Sequence, residues 1–159
     1  MPYRVRAFCT GSDVPTLAQV FEYAKVQGVN LSPDETHGAT EVGSPNWSEV
    51  EILYNPDKRP LVVECNRDDG DNECLARVEP QEYLEEIGSP GLSRAKRRVI
   101  KHLKATKFII ASQLLGDIED DGYNANGVFL DYFVGHCGGM IHADGEGFYD
   151  GDNIILEVG

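Results

Sequence analysis

The chain begins with an alternation of apolar and polar residues that predicts a β-strand. Over Tyr3–Cys9, every second side chain is uncharged and largely apolar, whereas Arg4 and Arg6 fall on the opposite side. A period of two is typical of a strand with one buried face. Apolar residues then recur at helical spacing over Leu17–Val26, which predicts a helix that ends before Gly28.

The next segment predicts a long loop followed by a β-hairpin. Residues 29–46 are polar, include His37 and are interrupted by glycine and proline, as is typical of a loop. Residues 47–54 alternate weakly, and residues 61–65 form a β-branched run, with turn-forming residues between the two. Two short strands around such a turn indicate an antiparallel hairpin.

Helices and a central strand are predicted after the hairpin. Residues 73–87 have apolar positions at helical spacing. We expect Pro80 to start a second, shorter helix there, because proline cannot donate the backbone hydrogen bond of a helix interior. Ser93 can cap a further helix that ends near Ala105. The almost entirely apolar run 108–115 predicts a strand that is buried on both faces.

The C-terminal third predicts one helix and two strands. Residues 117–121 indicate an acidic loop, and residues 123–136 have the apolar spacing of a helix. Residues 140–143 and 154–158 are the last two predicted strands. A segment rich in glycine and acidic residues connects them.

Together these elements predict an α+β fold in a single domain of residues 1–159. The order β-α-β-β-α-α-β over residues 1–115 matches a split β-α-β (ferredoxin-like) arrangement, with an antiparallel sheet and helices on one face. Residues 116–159 would form an α-β-β extension that lengthens the sheet or covers its edge. Since such folds carry many unrelated activities, the fold alone predicts no function.

The composition is that of an ordinary soluble protein. Of its 159 residues, 41% are hydrophobic and 26% are charged. The sequence contains no signal-peptide pattern and no apolar run long enough to span a bilayer, so we expect a cytoplasmic protein without a membrane partner. The four cysteines are far apart in sequence, which disfavours a zinc ribbon or a redox motif and predicts buried, reduced thiols at Cys9 and Cys65.

Charge is distributed unevenly along the chain. The net charge of −13 argues against nucleic acid as a ligand, because phosphate binding requires a cationic surface. Seven of the 14 Lys and Arg residues lie between Arg94 and Lys107, and all ten acidic residues that follow lack a basic neighbour in sequence. Either the two parts offset each other within the molecule, or the acidic part attracts a basic protein partner.

The glycine-rich segment 135–152 contains the candidate functional residues. Met140, His142 and Asp144 would share one face of a strand, and His136 would lie at the end of the preceding helix. His136, His142 and Asp144 are therefore weak candidates for a zinc site. None of the usual zinc spacings is present, and a histidine at a helix C-terminus interacts favourably with the helix dipole, so we predict no metal or other cofactor.

The acidic residues suggest two further kinds of site. Residues 117–122 begin like a calcium-binding EF-hand loop, but Val128 stands where the twelfth residue must be acidic. Glu146, Asp150 and Asp152 could share a loop as general acid and base. The alternative is that these acids only keep a sheet edge soluble.

Phe148 and Tyr149 add an aromatic pair to this loop. Aromatic residues among acids are typical of a surface that binds a basic protein, whereas the alternative is that Phe148 fills the core. We therefore predict a non-catalytic protein-binding or regulatory module, comparable to immunity proteins in size and charge. The alternative is a metal-dependent or carboxylate-based hydrolase that uses the same loop. The predicted binding residues are His142, Asp144, Glu146, Phe148, Tyr149 and Asp150.

Overall fold

An eight-stranded antiparallel sheet and four helices make up residues 3–36 and 38–159, which this computed structural model describes. The strands are β1 (Tyr3–Cys9), β2 (Ser32–Pro33), β3 (Glu49–Leu53), β4 (Leu61–Arg67), β5 (Phe108–Leu114), β6 (Gly139–Ala143), β7 (Gly147–Asp150) and β8 (Asn153–Leu156). The helices are α1 (Leu17–Val26), α2 (Leu75–Ile87), α3 (Arg94–Lys104) and α4 (Asp120–His136). The α+β class is confirmed, and His37 lies outside the described residues.

The predicted ferredoxin-like arrangement is not confirmed, because the order of the strands in the sheet is different. The strands lie in the order β2-β3-β4-β5-β1-β6-β7-β8, and all neighbours are antiparallel. In a split β-α-β unit, the two strands joined by the helix are parallel and have one strand between them. Here β1 and β3 run antiparallel with both β4 and β5 between them. The C-terminal part adds three strands on the other side of β1, instead of the two predicted.

Helices cover both faces of the sheet, and the prediction of one covered face is wrong. On the first face, α1 and α4 pack on a core that includes Val5 and Ala7 of β1. On the second face, α2 and α3 pack on a smaller core that includes Phe8 of the same strand. As predicted, β5 is buried on both sides. Two apolar faces require two covering layers, because each gains from removal from water.

Two helix boundaries differ from the prediction. α2 continues through Pro80, which is buried with Ala76 and Ile87 against the sheet. Burial of that side offsets the single backbone hydrogen bond that an internal proline removes. α4 begins at Asp120, inside the predicted acidic loop, because carboxylates in the first turn interact favourably with the helix dipole.

Three of the four cysteines are buried, unpaired thiols. Cys9, Cys65 and Cys137 are buried, and burial raises the pKa of each. The prediction for Cys9 and Cys65 is confirmed. Cys74 is half-buried at the start of α2. Separately, none of the helices in the described residues combines the length and apolar composition needed to cross a membrane.

Candidate functional site

The histidine at the centre of the predicted site is a core residue. His142 is fully buried on the second face of the sheet, with its ring against Tyr83 of α2. Its Nε2 donates a hydrogen bond to the carbonyl oxygen of Val158 at 2.8 Å. Its Nδ1 accepts a hydrogen bond from the Tyr83 hydroxyl at 3.3 Å. Burial lowers the pKa of His142 and keeps the ring neutral. A buried imidazole with both nitrogens engaged cannot contact a partner protein.

Asp144 belongs to an ion-pair group beside His142. Its carboxylate lies 2.8 Å from Arg6, and Arg6 Nε lies 2.5 Å from Glu79 of α2 without the geometry of a hydrogen bond. Burial raises the pKa of Glu79, and the charge of Arg6 opposes that rise. Asp144 thus neutralises a basic residue of its own sheet.

Phe148 fills the core beneath the glycine-rich segment. Its side chain has 0% exposure and packs against Phe8, Tyr83 and His142, with ring centroids 6.0, 5.5 and 4.7 Å away. The alternative interpretation of Phe148 is therefore correct. The prediction that His142 and Phe148 contact a partner is corrected accordingly, because neither has exposed surface.

Glu146 and Tyr149 fix the turn between β6 and β7. Glu146 accepts a 2.5 Å hydrogen bond from the Tyr149 hydroxyl and a second hydrogen bond from Tyr3. These bonds lower the pKa of Glu146, and the first raises the pKa of Tyr149 to about 12. Glu146 is engaged within the sheet, whereas the half-buried Tyr149 also lines a cleft on its other side.

The donors suggested for a metal site are dispersed. His136 stacks on Tyr132 of α4, with ring centroids 4.3 Å apart. His142 and Asp144 instead contact Tyr83 and Arg6 on the second face of the sheet. Within residues 3–36 and 38–159, no three His, Cys, Asp or Glu side chains come together in a way that could hold a metal ion. The side chains suggested for zinc therefore do not converge.

Internal ion pairs neutralise much of the acidic C-terminal third. Four of its ten acids form ion pairs in the described structure. Only one of the four cations belongs to the basic segment Arg94–Lys107. The pairs are Asp117 with Arg59, Glu119 with Lys58, Asp144 with Arg6 and Asp150 with Arg98. The acidic C-terminal third therefore does not form a uniformly acidic docking surface, and Asp117 and Glu119 of the EF-hand-like loop are among the paired acids.

A cleft of about 670 Å³, which we call the β6 cleft, opens beside the first half of β6. Residues 139–141 form its floor. One wall comes from α3, and the other comes from α4 and residues 149–152. Clefts of this volume are typical of ligand-binding sites.

The β6 cleft exists because β7 leaves β6 after two pairs of residues. His142 pairs with Phe148, and Ala143 pairs with Gly147, but residues 139–141 have no partner in β7. An irregularity in the β7–β8 pairing, next to Phe148, lies where the β6–β7 pairing ends. The first half of β6 is thus an unpaired strand edge within a large sheet.

The hydrogen bonds to β1 show which backbone groups of β6 face the cleft. The carbonyl of Gly138 accepts a hydrogen bond from Thr10 at 3.3 Å, and the N–H of Asp144 donates to β1 at 3.0 Å. Along an antiparallel strand, the residues whose backbone groups bond to a given neighbour alternate. The backbone N–H and C=O groups of the even-numbered residues of β6 therefore face β1. The N–H and C=O groups of Gly139 and Ile141 therefore face the β6 cleft, as in an edge that can accept another strand.

The α3 wall of the β6 cleft is basic. His102 is anchored by a 2.6 Å hydrogen bond to the carbonyl of Phe8, and Arg98 lies 2.8 Å from Asp150 at the end of β7. In the described structure, Arg98 is the one Lys or Arg between 94 and 107 that forms an ion pair. Lys101, which is exposed and lines the cleft, has no such pair.

The opposite wall is acidic. Asp131 of α4 and Asp152 of the β7–β8 turn line the cleft, and neither forms an ion pair among the described residues. Burial and the neighbouring charge of Asp152 raise the pKa of Asp131. Apart from the Arg98–Asp150 pair, the two walls of the β6 cleft thus carry opposite charges without ion pairs: Lys101 on one wall, and Asp131 and Asp152 on the other.

Sequence reasoning found only part of this cleft. Tyr149 and Asp150 were among the predicted residues, whereas Lys101 and Asp131 were not. The lining residues come from segments that are distant in sequence, so no local motif marks them.

No protein-family model, curated protein or solved structure matches this chain. The geometry and charge of the β6 cleft are therefore the features of the molecule that bear on its function.

Proposed function

We propose that the protein is a non-catalytic protein-binding module that takes an extended segment of a partner into the β6 cleft. The segment would add a strand to residues 139–141, whose free backbone groups are the single observation that carries the proposal. Strand addition derives affinity from main-chain hydrogen bonds and specificity from the side-chain walls. Three residues of a strand extend over about 10 Å, so the pairing is short and the walls must contribute.

The partner proposed from sequence is a basic protein, and the β6 cleft restricts where its positive charge would act. Asp131 and Asp152 offer carboxylates without internal cations, unlike the paired acids elsewhere in the C-terminal third. Cationic residues of the partner segment would interact with this wall. A regulatory or immunity-like role in the cytoplasm, without nucleic acid or membrane, remains part of the proposal. No observation favours the hydrolase alternative.

A random peptide library tests the proposal. The library is selected on the protein, and enriched peptides are titrated against the wild type, Ile141→Pro and Ile141→Val. Ile141→Pro removes the N–H that faces the cleft but leaves the bonds to β1, since proline is tolerated at a strand edge. Loss of that hydrogen bond should weaken binding roughly tenfold, whereas Ile141→Val should bind like the wild type.

Urea unfolding tests whether both variants are folded. If Ile141→Pro does not fold, Asp152→Asn, which removes an unpaired carboxylate of the acidic wall, serves as the second cleft variant. The proposal fails if the library yields no peptide above the background of an unrelated acidic protein. It also fails if the enriched peptides bind folded Ile141→Pro, or Asp152→Asn in its place, as tightly as they bind the wild type.

A further inference from the structure

We propose that the segment bound in the β6 cleft alternates acidic and basic residues with a period of two. This inference rests on the proposed function and specifies the chemistry of the partner. It follows from the position of the two walls on opposite faces of the sheet.

The walls lie on opposite faces because their helices do. Val99 and Leu103 of α3 pack in the second-face core, whereas Phe129 and Phe133 of α4 pack in the first-face core. The β6 cleft is therefore a gap in the plane of the sheet and not a groove on one surface. A strand that fills this gap would lie between α3 and α4.

The side chains of β6 follow the same division. Met140 lies in the second-face core with the residues of α3, and Ile141 packs at the edge of the first-face core with those of α4. Successive side chains of an added strand must likewise point to alternate faces. One set would face Lys101 and Arg98, and the other would face Asp131 and Val134.

Charge complementarity then sets the sequence of the segment. Acidic side chains suit the α3 wall, where the charge of Lys101 has no internal partner. Basic side chains suit the α4 wall, where Asp131 and Asp152 have none among the described residues. A segment with its charges in blocks would place a like charge against one wall in either strand direction, which opposes binding.

Two synthetic peptides of identical composition test this inference. One alternates glutamate and lysine, and the other carries the same residues in blocks, each with capped ends and a fluorescent label. Binding is measured by fluorescence anisotropy, and chemical shifts of Gly139 and Ile141 locate the site. The alternating peptide should bind roughly tenfold more tightly, the combined effect of two or three exposed ion pairs.

Matched charge variants assign that preference to the walls. Lys101→Glu should reduce the preference for the alternating peptide, whereas Lys104→Glu, on the same helix but outside the cleft, should leave it unchanged. Asp152→Asn should act like Lys101→Glu, with Glu157→Gln as its control. Raising the salt concentration to about 0.5 M should remove most of the preference, since exposed pairs are screened.

Three outcomes separate the inference from the proposed function. Equal binding of both peptides, or preference for the block peptide, overturns the alternation but leaves strand addition standing. If neither synthetic peptide binds and the library-selected peptides show no alternation of charge, the alternation is likewise overturned. Failure of both peptides and of the library overturns the proposed function and, with it, this inference.

Discussion

At the scale of single residues, burial decides which predicted side chains have a functional surface. Alternation along β6 correctly placed His142 and Asp144 on one face, but sequence does not reveal that α2 covers that face. Tyr83 of α2 contacts His142, and Glu79 of α2 lies against Arg6, the ion-pair partner of Asp144. A periodic pattern identifies shared faces, whereas the layer that covers a face depends on distant parts of the chain.

We predict that His142 makes stability fall as the pH is lowered. Its pKa is reduced by burial, so below about pH 6.5 the unfolded chain takes up a proton that the folded state resists. Protons then favour unfolding, and stability is lost toward acid. His142→Gln keeps a donor for Val158 and an acceptor for Tyr83 but does not titrate.

Urea unfolding between about pH 7.5 and 5.5 checks this prediction, because an unperturbed histidine gains its proton within this pH range. The loss of stability across this window should be smaller in His142→Gln than in the wild type. Glu79, whose raised pKa acts in the opposite direction, is common to both proteins and cancels in the comparison. Equal pH dependence of the two proteins would contradict the assignment.

At the scale of elements, local patterns predicted most of the fold. β1, α1, the β3–β4 hairpin, α3 and β5 lie where periodicity placed them, and Ser93 caps α3 as predicted. β7 was missed because glycine and acidic residues interrupt a four-residue strand. The strand order and the second helical layer were also missed, since both depend on contacts between distant segments.

Strand β7 requires a glycine at its first position, Gly147. It has a φ of 145°, and a Cβ at this position would overlap the backbone around Leu156 of β8. Gly147→Ala should therefore destabilise the protein by more than about 3 kcal/mol, above the usual range for a strained backbone position alone.

Gly145→Ala is the matched control for Gly147→Ala. Gly145 also has a positive φ, of 75°, but a Cβ there meets no atom. This change should cost only about 1–2 kcal/mol, from backbone strain. Thermal and urea unfolding measure both variants, and similar losses at the two positions would show that β8 does not restrict Gly147.

At the scale of the whole molecule, this acidic protein has a basic and an acidic surface on opposite walls of one cleft. Neutralisation of acids by Arg6, Lys58 and Arg59 could not be predicted from charge runs, because these residues lie in the first half of the chain. The charges that form no ion pair in the described structure include Lys101 on one wall of the β6 cleft and Asp131 on the other. The departure of β7 from β6 places these walls on either side of an unpaired strand.

Amide hydrogen exchange along β6, resolved by NMR on the free protein, tests the unpaired edge most directly. The amides of Met140 and His142 face β1 and should be protected, whereas those of Gly139 and Ile141 face the β6 cleft and should exchange rapidly. A peptide that binds in the cleft should slow the second pair only. Protection of all four amides in the free protein would contradict the account, because β6 would then have no edge to offer a partner.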